Sequence, residues 1–84
     1  MIEELFNNCP WYVKIKLLRI LKGWGQEKAA DMCSTYKKNY WQWENGQCYP
    51  TLKNKKRIAA VFGINMNYIF SPNDQTIRNA NNNI

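Results

Sequence analysis

The apolar residues of the chain recur at helical spacing in short runs, separated by glycine, proline and polar residues. The first run predicts a helix from Pro10 to Lys22, because proline suits the first helical position and Gly23 suits the stop. Its inward-facing residues are Trp11, Ile15, Leu18 and Leu21. The alternation of apolar and polar residues that is typical of a strand does not occur, so the pattern predicts an all-α fold.

The second and third runs predict two short helices joined by a tight turn. One helix covers Gln26 to Cys33, and its inward positions are small: Ala29, Ala30 and Cys33. Hydroxyl-bearing and β-branched residues at 34–36 favour a turn over continued helix. The other helix covers Lys37 to about Asn45 and ends at Gly46. Small inward residues let the two helices approach closely and cross at a steep angle.

The third helix has two chemically different faces. Tyr40 and Trp43 are three residues apart and share one face, which we expect to be buried. Glu44, near the end of the helix, is expected to pair with Arg19 or with a lysine of the fourth helix. The opposite face is polar and cationic and comprises Lys37, Lys38, Trp41 and Gln42.

The remaining sequence predicts two more helices and a tail. Thr51 caps a fourth helix that runs to about Phe62 and ends at Gly63, and a fifth helix begins near Asn65. The chain is thus divided into an N-terminal segment 1–9, a helical domain 10–70 and a tail 71–84. The tail has few apolar residues to offset its ordering entropy, so we expect it to be mobile. The apolar positions expected to face inward in the last two helices are Leu52, Ile58, Ala59, Phe62, Met66, Ile69 and Phe70.

The composition of the 84 residues is basic and lacks the usual catalytic groups. Twelve Lys and Arg against six Asp and Glu give a formal net charge of +6, which attracts polyanions. Without histidine, the usual general base near neutral pH is missing, and no glycine-rich phosphate loop occurs. We therefore expect that the protein is not an enzyme.

The cysteines and the lengths of the apolar runs argue against a metal-binding protein and a membrane protein. Cys9, Cys33 and Cys48 are widely spaced, and without histidine a zinc site would lack ligands. We therefore expect reduced thiols, no metal and no cofactor. No apolar run reaches the roughly 20 residues that span a bilayer, and the N-terminus is acidic where a secretory signal would be basic. We expect a cytoplasmic protein with no membrane partner.

Residues 15–50 carry a more specific pattern, which consists of Ile15, Leu18, Arg19, Gly23, Gln26, Glu27, Ala30, the string Trp43-Glu44-Asn45-Gly46, and Pro50. In these residues the chain resembles the lambda-repressor-like, Cro- and XRE-type helix-turn-helix family of bacterial and phage transcription regulators. The resemblance covers roughly residues 11–70. It implies a compact five-helix DNA-binding domain in which helices two and three form the helix-turn-helix.

The chain departs from the family pattern in the turn and on two helix surfaces. Ser34 stands where the family usually has glycine, and Cys33 stands where it usually has a large aliphatic residue. Trp41 occupies a position at which small or polar residues are usual. Leu17 and Ile20 occupy positions that are usually polar, which makes helix one unusually apolar.

The resemblance implies sequence-specific binding to a double-stranded DNA operator by a transcription regulator, expected to be a repressor. Helix three would read the major groove, and the protein would bind as a homodimer. Lysine donates to guanine O6 and N7 and glutamine pairs with adenine, so base contacts are expected from Lys37, Lys38, Trp41 and Gln42. Lys37 serves a base or a phosphate equally well. Trp41 either meets a thymine methyl group or a phosphate, or packs over Tyr36 or Lys37.

A second set of residues is expected to hold the DNA backbone, because phosphate contacts typically outnumber base contacts. The resemblance implies a phosphate contact for Gln26, which opens helix two. Lys55 and Lys56 either extend this footprint or only solvate helix four. The other expected phosphate contacts are Thr35, Asn39, Asn45, Gln47 and Lys53.

A function of another class stays open at this point. Leu17 and Ile20 are either covered by the N-terminal segment or bind a protein partner, as in an antitoxin or another protein-binding module built on the same fold. For the homodimer, the candidate interface residues are Tyr68, Ile69 and Phe70, near the end of the fold.

Overall fold

The computed structural model describes residues 2–71, with side chains from Glu4 onward. This part of the chain is all-helical and contains no strand, so the all-α prediction is confirmed. The Cα radius of gyration is 12.3 Å, close to the roughly 12 Å expected for a compact domain of this length. The helices are α1 (Ile2–Asn8), α2 (Trp11–Lys22), α3 (Gln26–Met32), α4 (Lys37–Glu44), α5 (Leu52–Phe62) and α6 (Met66–Ile69).

The N-terminal segment contains a helix that the sequence pattern did not predict. Helix α1 lies in segment 1–9, and its Phe6 packs against the core while Lys14 of α2 lies over the Phe6 ring at 5.4 Å. The described residues therefore form six helices rather than the five expected. The other boundaries agree to within about one residue. The mobility predicted for the tail concerns residues 72–84, which lie outside the described part of the chain.

Four of the helices end in the same backbone motif. After α3, the N–H of Ser34 donates to the carbonyl of Asp31 and the N–H of Thr35 donates to that of Ala30, at 3.0 and 2.9 Å. This Schellman arrangement requires a left-handed residue after the helix, usually glycine. Helices α2, α4 and α5 meet the requirement with a glycine, as their sequence stop signals predicted. Helix α3 uses Ser34, with φ of 57°.

The core forms where α2, α3, α4, α5 and α6 meet. Most of the residues predicted to face inward are buried. The prediction is wrong for two leucines, because Leu21 is 74% exposed and Leu52 is 55% exposed. Each lies six residues from a fully buried isoleucine of its own helix. Six residues correspond to about 600° of rotation, so these leucines point about 120° away from the inward direction. The buried hydrophobic residues are Trp11, Ile15, Leu18, Ala29, Ala30, Cys33, Tyr40, Trp43, Ile58, Ala59, Phe62, Ile69 and Phe70.

The end of the fold closes the core instead of presenting an apolar surface. Ile69 and Phe70 are buried, and the Phe70 ring lies 6.1 Å from that of Trp11 and 6.0 Å from that of Tyr49. The expectation that Ile69 and Phe70 form a dimer interface is therefore wrong, because their surface is already used inside one chain. Tyr68 is 65% exposed and stays a candidate.

Among the described residues, none of the helices has the length and apolar character needed to cross a membrane.

Candidate nucleic-acid interface

Helices α3 and α4 form a closely packed pair joined by a tight turn. Ala29, Ala30 and Cys33 are buried in the core, so the prediction that they are the small buried positions of this helix is confirmed. On α4, Tyr40 and Trp43 are buried as predicted, with ring centroids 5.8 Å apart. A helix held by two large aromatic side chains on its inner face keeps a fixed orientation, so its outer face can present side chains in one geometry.

A buried ion pair fixes the C-terminal end of α4. The Nε of Arg19 donates to Glu44 Oε2 at 2.6 Å, and a second guanidinium nitrogen donates to Oε1 at 3.1 Å. The third guanidinium nitrogen donates to the carbonyl of Trp24 at 2.9 Å. The hydrogen bond to Glu44 raises the pKa of Arg19 above its ordinary value, against the opposing effect of burial. The prediction that Glu44 pairs with Arg19 is confirmed.

Gln26 joins the same ion pair. Its Nε2 donates to Glu44 Oε1 at 3.1 Å, so the half-buried side chain connects the start of α3 to the end of α4. Arg19, Glu44 and Gln26 thus tie α2, α3 and α4 together beneath the outer face of α4. The phosphate contact expected from Gln26 stays a prediction. Its amide nitrogen already has a partner within the chain.

The predicted base-reading residues lie together on the side of α4 away from the core. Lys37 and Lys38 are exposed, Trp41 is 42% exposed and Gln42 is half-buried. Lys38, Trp41 and Gln42 are spaced three and four residues apart, which places them on one face of the helix. The exposed indole, two lysines and an amide give this face hydrogen-bond donors, an acceptor and an apolar surface.

The side chains predicted to hold phosphates surround this face. Some of them already make hydrogen bonds within the chain, and others are exposed. Asn39 Nδ2 donates to Thr35 Oγ1 at 2.8 Å, and Asn45 Nδ2 donates to the carbonyl of Trp41 at 2.8 Å. These bonds fix the side chains at the two ends of α4 and leave further hydrogen-bonding capacity on each. Gln47 and Lys53 are exposed.

The basic residues of α5 divide into two groups. Lys53, Lys56 and Arg57 are exposed. Lys55 is half-buried instead: its Nζ donates to the Tyr49 hydroxyl at 3.4 Å and lies 4.8 Å from the centre of that ring. Lys55 is therefore engaged with the aromatic residues at the edge of the core, and the basic surface of α5 consists of the other three cations.

The turn that follows α4 includes a close contact that the sequence pattern did not predict. Gly46 has φ of 68°, and a Cβ built there would lie 3.0 Å from Cδ1 of Tyr12. Both the backbone conformation and the neighbouring ring therefore favour glycine at this position. The Asn45-Gly46 pair signalled a helix stop, but nothing in the sequence signalled the Tyr12 ring beside it.

Two side-chain polar atoms are buried without a well-formed hydrogen bond in the described part of the chain: Trp11 Nε1 and the Tyr40 hydroxyl, which has the Glu44 carboxylate nearby. Burial, with the nearby negative charge of Glu44, raises the pKa of Tyr40 well above its ordinary value. Burial likewise raises the pKa of the Cys33 thiol to about 11. Both groups are therefore neutral at physiological pH. We assign them to the core that supports α4.

The described residues contain no group of three or more histidine, cysteine, aspartate or glutamate side chains able to hold a metal ion. Comparisons of the chain with protein-family models, with curated proteins and with solved structures found no significant match. The resemblance to lambda-repressor-like regulators therefore stays a prediction from the sequence.

Proposed function

We propose that this chain is a sequence-specific DNA-binding transcription regulator of the lambda-repressor-like helix-turn-helix type, and that α4 enters the major groove of its operator. The observation that carries the proposal is the two-sided character of α4. Its inner side is fixed by Tyr40, Trp43 and Glu44, while Lys38, Trp41 and Gln42 project from its outer side. The major groove of B-DNA is wide enough to admit one helix.

The surrounding charges support a polyanionic ligand. Lys37 and Lys38 lie at the start of α4, and the exposed cations of α5 begin with Lys53. The acidic Glu44 of α4 is buried and neutralised by Arg19. The outer face of α4 therefore carries no unpaired carboxylate that would repel a phosphate.

In this proposal Gln42 and Lys38 read base edges, and Trp41 and Lys37 complete the contact with the groove. Thr35, Asn39, Asn45, Gln47 and Lys53 hold the phosphates on either side, and Gln26 joins them from the start of α3. The regulator acts in the cytoplasm as a repressor. Homodimer formation would place a second α4 about one turn of DNA away on a two-fold symmetric operator.

Equilibrium binding at a series of salt concentrations tests the proposal, after a duplex ligand has been selected from random DNA. Neutralising six or more phosphates predicts a loss of affinity of roughly a thousandfold or more between about 50 and 200 mM salt. Lys53→Gln should reduce the salt slope by about one phosphate contact, whereas Lys55→Gln should leave it unchanged. If no duplex is enriched, or the affinity is independent of salt, the proposal is wrong.

A further inference from the structure

Helix α2 carries an apolar stripe on the side opposite the core. Leu17, Ile20 and Leu21 stand at positions i, i+3 and i+4, so they share one face of the helix. Leu17 is half-buried, Ile20 is 53% exposed and Leu21 is 74% exposed. Together these three residues form the α2 stripe. Helix α1 packs Phe6 against the core but leaves Ile20 and Leu21 in solvent.

The charged residues of α2 itself all have one sign. Helix α2 contains no acidic residue, and its lysines are Lys14, Lys16 and Lys22. Among the described residues, Arg19 is the one α2 cation with an ion-pair partner. Lys14 donates to the carbonyl of Tyr68, and Lys22 lies over the Trp24 ring; neither has an ion-pair partner in the described part of the chain. Lys16 is exposed next to Leu17.

We propose that the α2 stripe is a docking surface for an amphipathic helix of another protein that carries acidic residues beside its apolar face. A ridge of three side chains spaced three and four apart matches the groove between the side-chain ridges of a second helix. The unpaired lysines beside the stripe attract carboxylates and repel cations, so they select an acidic helix.

A second copy of this chain fits the α2 stripe less well. In a two-fold dimer through this surface, Lys16 and Lys22 of one copy would approach the same lysines of the other. Such a dimer would also place the two α4 helices on opposite outer sides. Arg19, which joins α2 to α4, lies on the side of α2 roughly opposite the stripe. The outer side of α4 therefore points away from the stripe. That arrangement is unsuited to two adjacent half-sites on DNA.

An anionic membrane is the other surface that could cover lysine-flanked apolar residues. The α2 stripe is only about one helical turn long, and one of its three residues, Leu17, is half-buried in the folded domain. Interfacial helices insert a longer apolar face that includes bulky aromatic residues. These features favour a protein helix over lipid.

The test uses the full chain labelled with ¹⁵N and two synthetic peptides, each about 18 residues long and helical. Both carry leucines at helical i, i+3, i+4 and i+7 positions; one has glutamates beside them and the other has lysines. We expect the glutamate peptide to shift the amide resonances of Lys16, Leu17 and Leu21, and to bind roughly tenfold more tightly than the lysine peptide.

Matched variants locate the interaction. Leu21→Glu should abolish binding of the glutamate peptide, whereas Leu52→Glu, the same change at an exposed leucine of α5, should leave it unchanged. Lys16→Glu should reduce the preference for the glutamate peptide. Thermal unfolding of each variant shows that the fold is retained, since these side chains are exposed.

Three results would overturn the proposal. The first is that neither peptide binds, or that both bind equally. The second is a dimer in sedimentation equilibrium that Leu21→Glu dissociates, since a second copy would then cover the stripe. The third is binding to vesicles of phosphatidylglycerol and phosphatidylcholine that Leu21→Glu removes while neither peptide binds. The inference is independent of DNA binding, so a selected duplex should neither displace the peptide nor be displaced by it.

Discussion

Ser34 holds a backbone conformation that costs free energy for an L-residue. Its φ of 57° is the one positive value among the described residues other than glycine, and its side chain is exposed. Left-handed backbone costs an ordinary residue about 1–2 kcal/mol, whereas glycine adopts it freely. Ser34 nevertheless completes the turn between α3 and α4, because two backbone hydrogen bonds close the motif around it.

Replacing Ser34 by glycine should stabilise the protein. The substitution relieves the backbone strain of the left-handed conformation, but the greater entropy of glycine in the unfolded chain offsets part of this gain. The free energy of unfolding should therefore increase by about 0.5–1 kcal/mol. Urea unfolding measures the change. Gly63→Ala is the matched control with the opposite sign: its φ is 68° and an added Cβ meets nothing within 4 Å, so it should destabilise by a similar amount. A Ser34→Gly variant less stable than the wild type would disprove the strain.

The buried thiol of Cys33 should make the stability of the fold depend on pH in the alkaline range. The folded-state pKa of its thiol is raised to about 11 from an ordinary value of 9.0 because the group is buried. The unfolded chain therefore loses this proton first, and stability is full below about pH 9 and falls as the pH rises towards 11. The raised pKa of Tyr40 acts in the same direction.

Urea unfolding at pH 8 and at pH 10.5 should show a loss of about 2 kcal/mol from Cys33, with a further loss from Tyr40. Cys33→Ala should be less stable than the wild type at pH 8 but should lose less between the two pH values. Cys48→Ala is the control, because this cysteine is exposed. If Cys33→Ala and Cys48→Ala lose equally between the two pH values, the thiol of Cys33 is not the titrating group.

At the scale of the elements, the ion pair between α2 and α4 sets the position of the candidate DNA-binding helix. Glu44→Gln removes the negative charge and leaves the guanidinium of Arg19 without its counter-ion, while that side chain is 13% exposed. Breaking a pair of this kind should cost about 2–4 kcal/mol, somewhat less than for a fully buried pair. Glu27→Gln, the same substitution on the exposed side of α3, should change stability by less than about 0.5 kcal/mol.

Thermal or urea unfolding of the two variants makes the comparison. Equal stability of Glu44→Gln and Glu27→Gln would show that the ion pair does not hold α4. Chemical shifts provide a second measurement, because loosening the end of α4 should move the resonances of its outer residues without unfolding the domain.

Helix placement could be predicted from the sequence because its signals are local. The stops at Gly23, Gly46 and Gly63, the cap at Thr51 and the buried pair Tyr40 and Trp43 each depend on a few neighbouring residues. Helix α1 was missed because Ile2–Asn8 spans only about two helical turns, which is too short for its three apolar residues to establish a helical pattern. A helix of this length depends on tertiary contacts for its stability.

The errors arose where a side chain depends on distant parts of the chain. Leu21 and Leu52 belong to amphipathic helices, but rotation along the helix carries them out of the core. Ile69 and Phe70 were assigned to a dimer interface because a single sequence does not show whether an apolar surface is buried within one chain or exposed. Lys55 has the sequence context of a solvated lysine, and only the fold brings Tyr49 and Phe70 beneath it.

For the whole molecule, the structure separates two surfaces with different chemistry. The outer side of α4, with the exposed cations of α5, is polar and basic; the α2 stripe is apolar and faces another direction. A regulator that binds DNA through one surface and a protein through the other needs no conformational change to do both. The two proposals can therefore fail separately.

If the outer side of α4 reads bases, Gln42→Ala should weaken binding to the selected DNA sequence in particular. Binding of the wild type and the variant should be measured at one salt concentration, with the selected duplex and with a scrambled duplex. We expect specific affinity to fall by about 1–3 kcal/mol and non-specific affinity to stay nearly unchanged, because only a base contact distinguishes the two ligands. An unchanged melting temperature would show that half-buried Gln42 does not support the fold. Equal losses on both duplexes, or no loss on either, would show that Gln42 does not read a base.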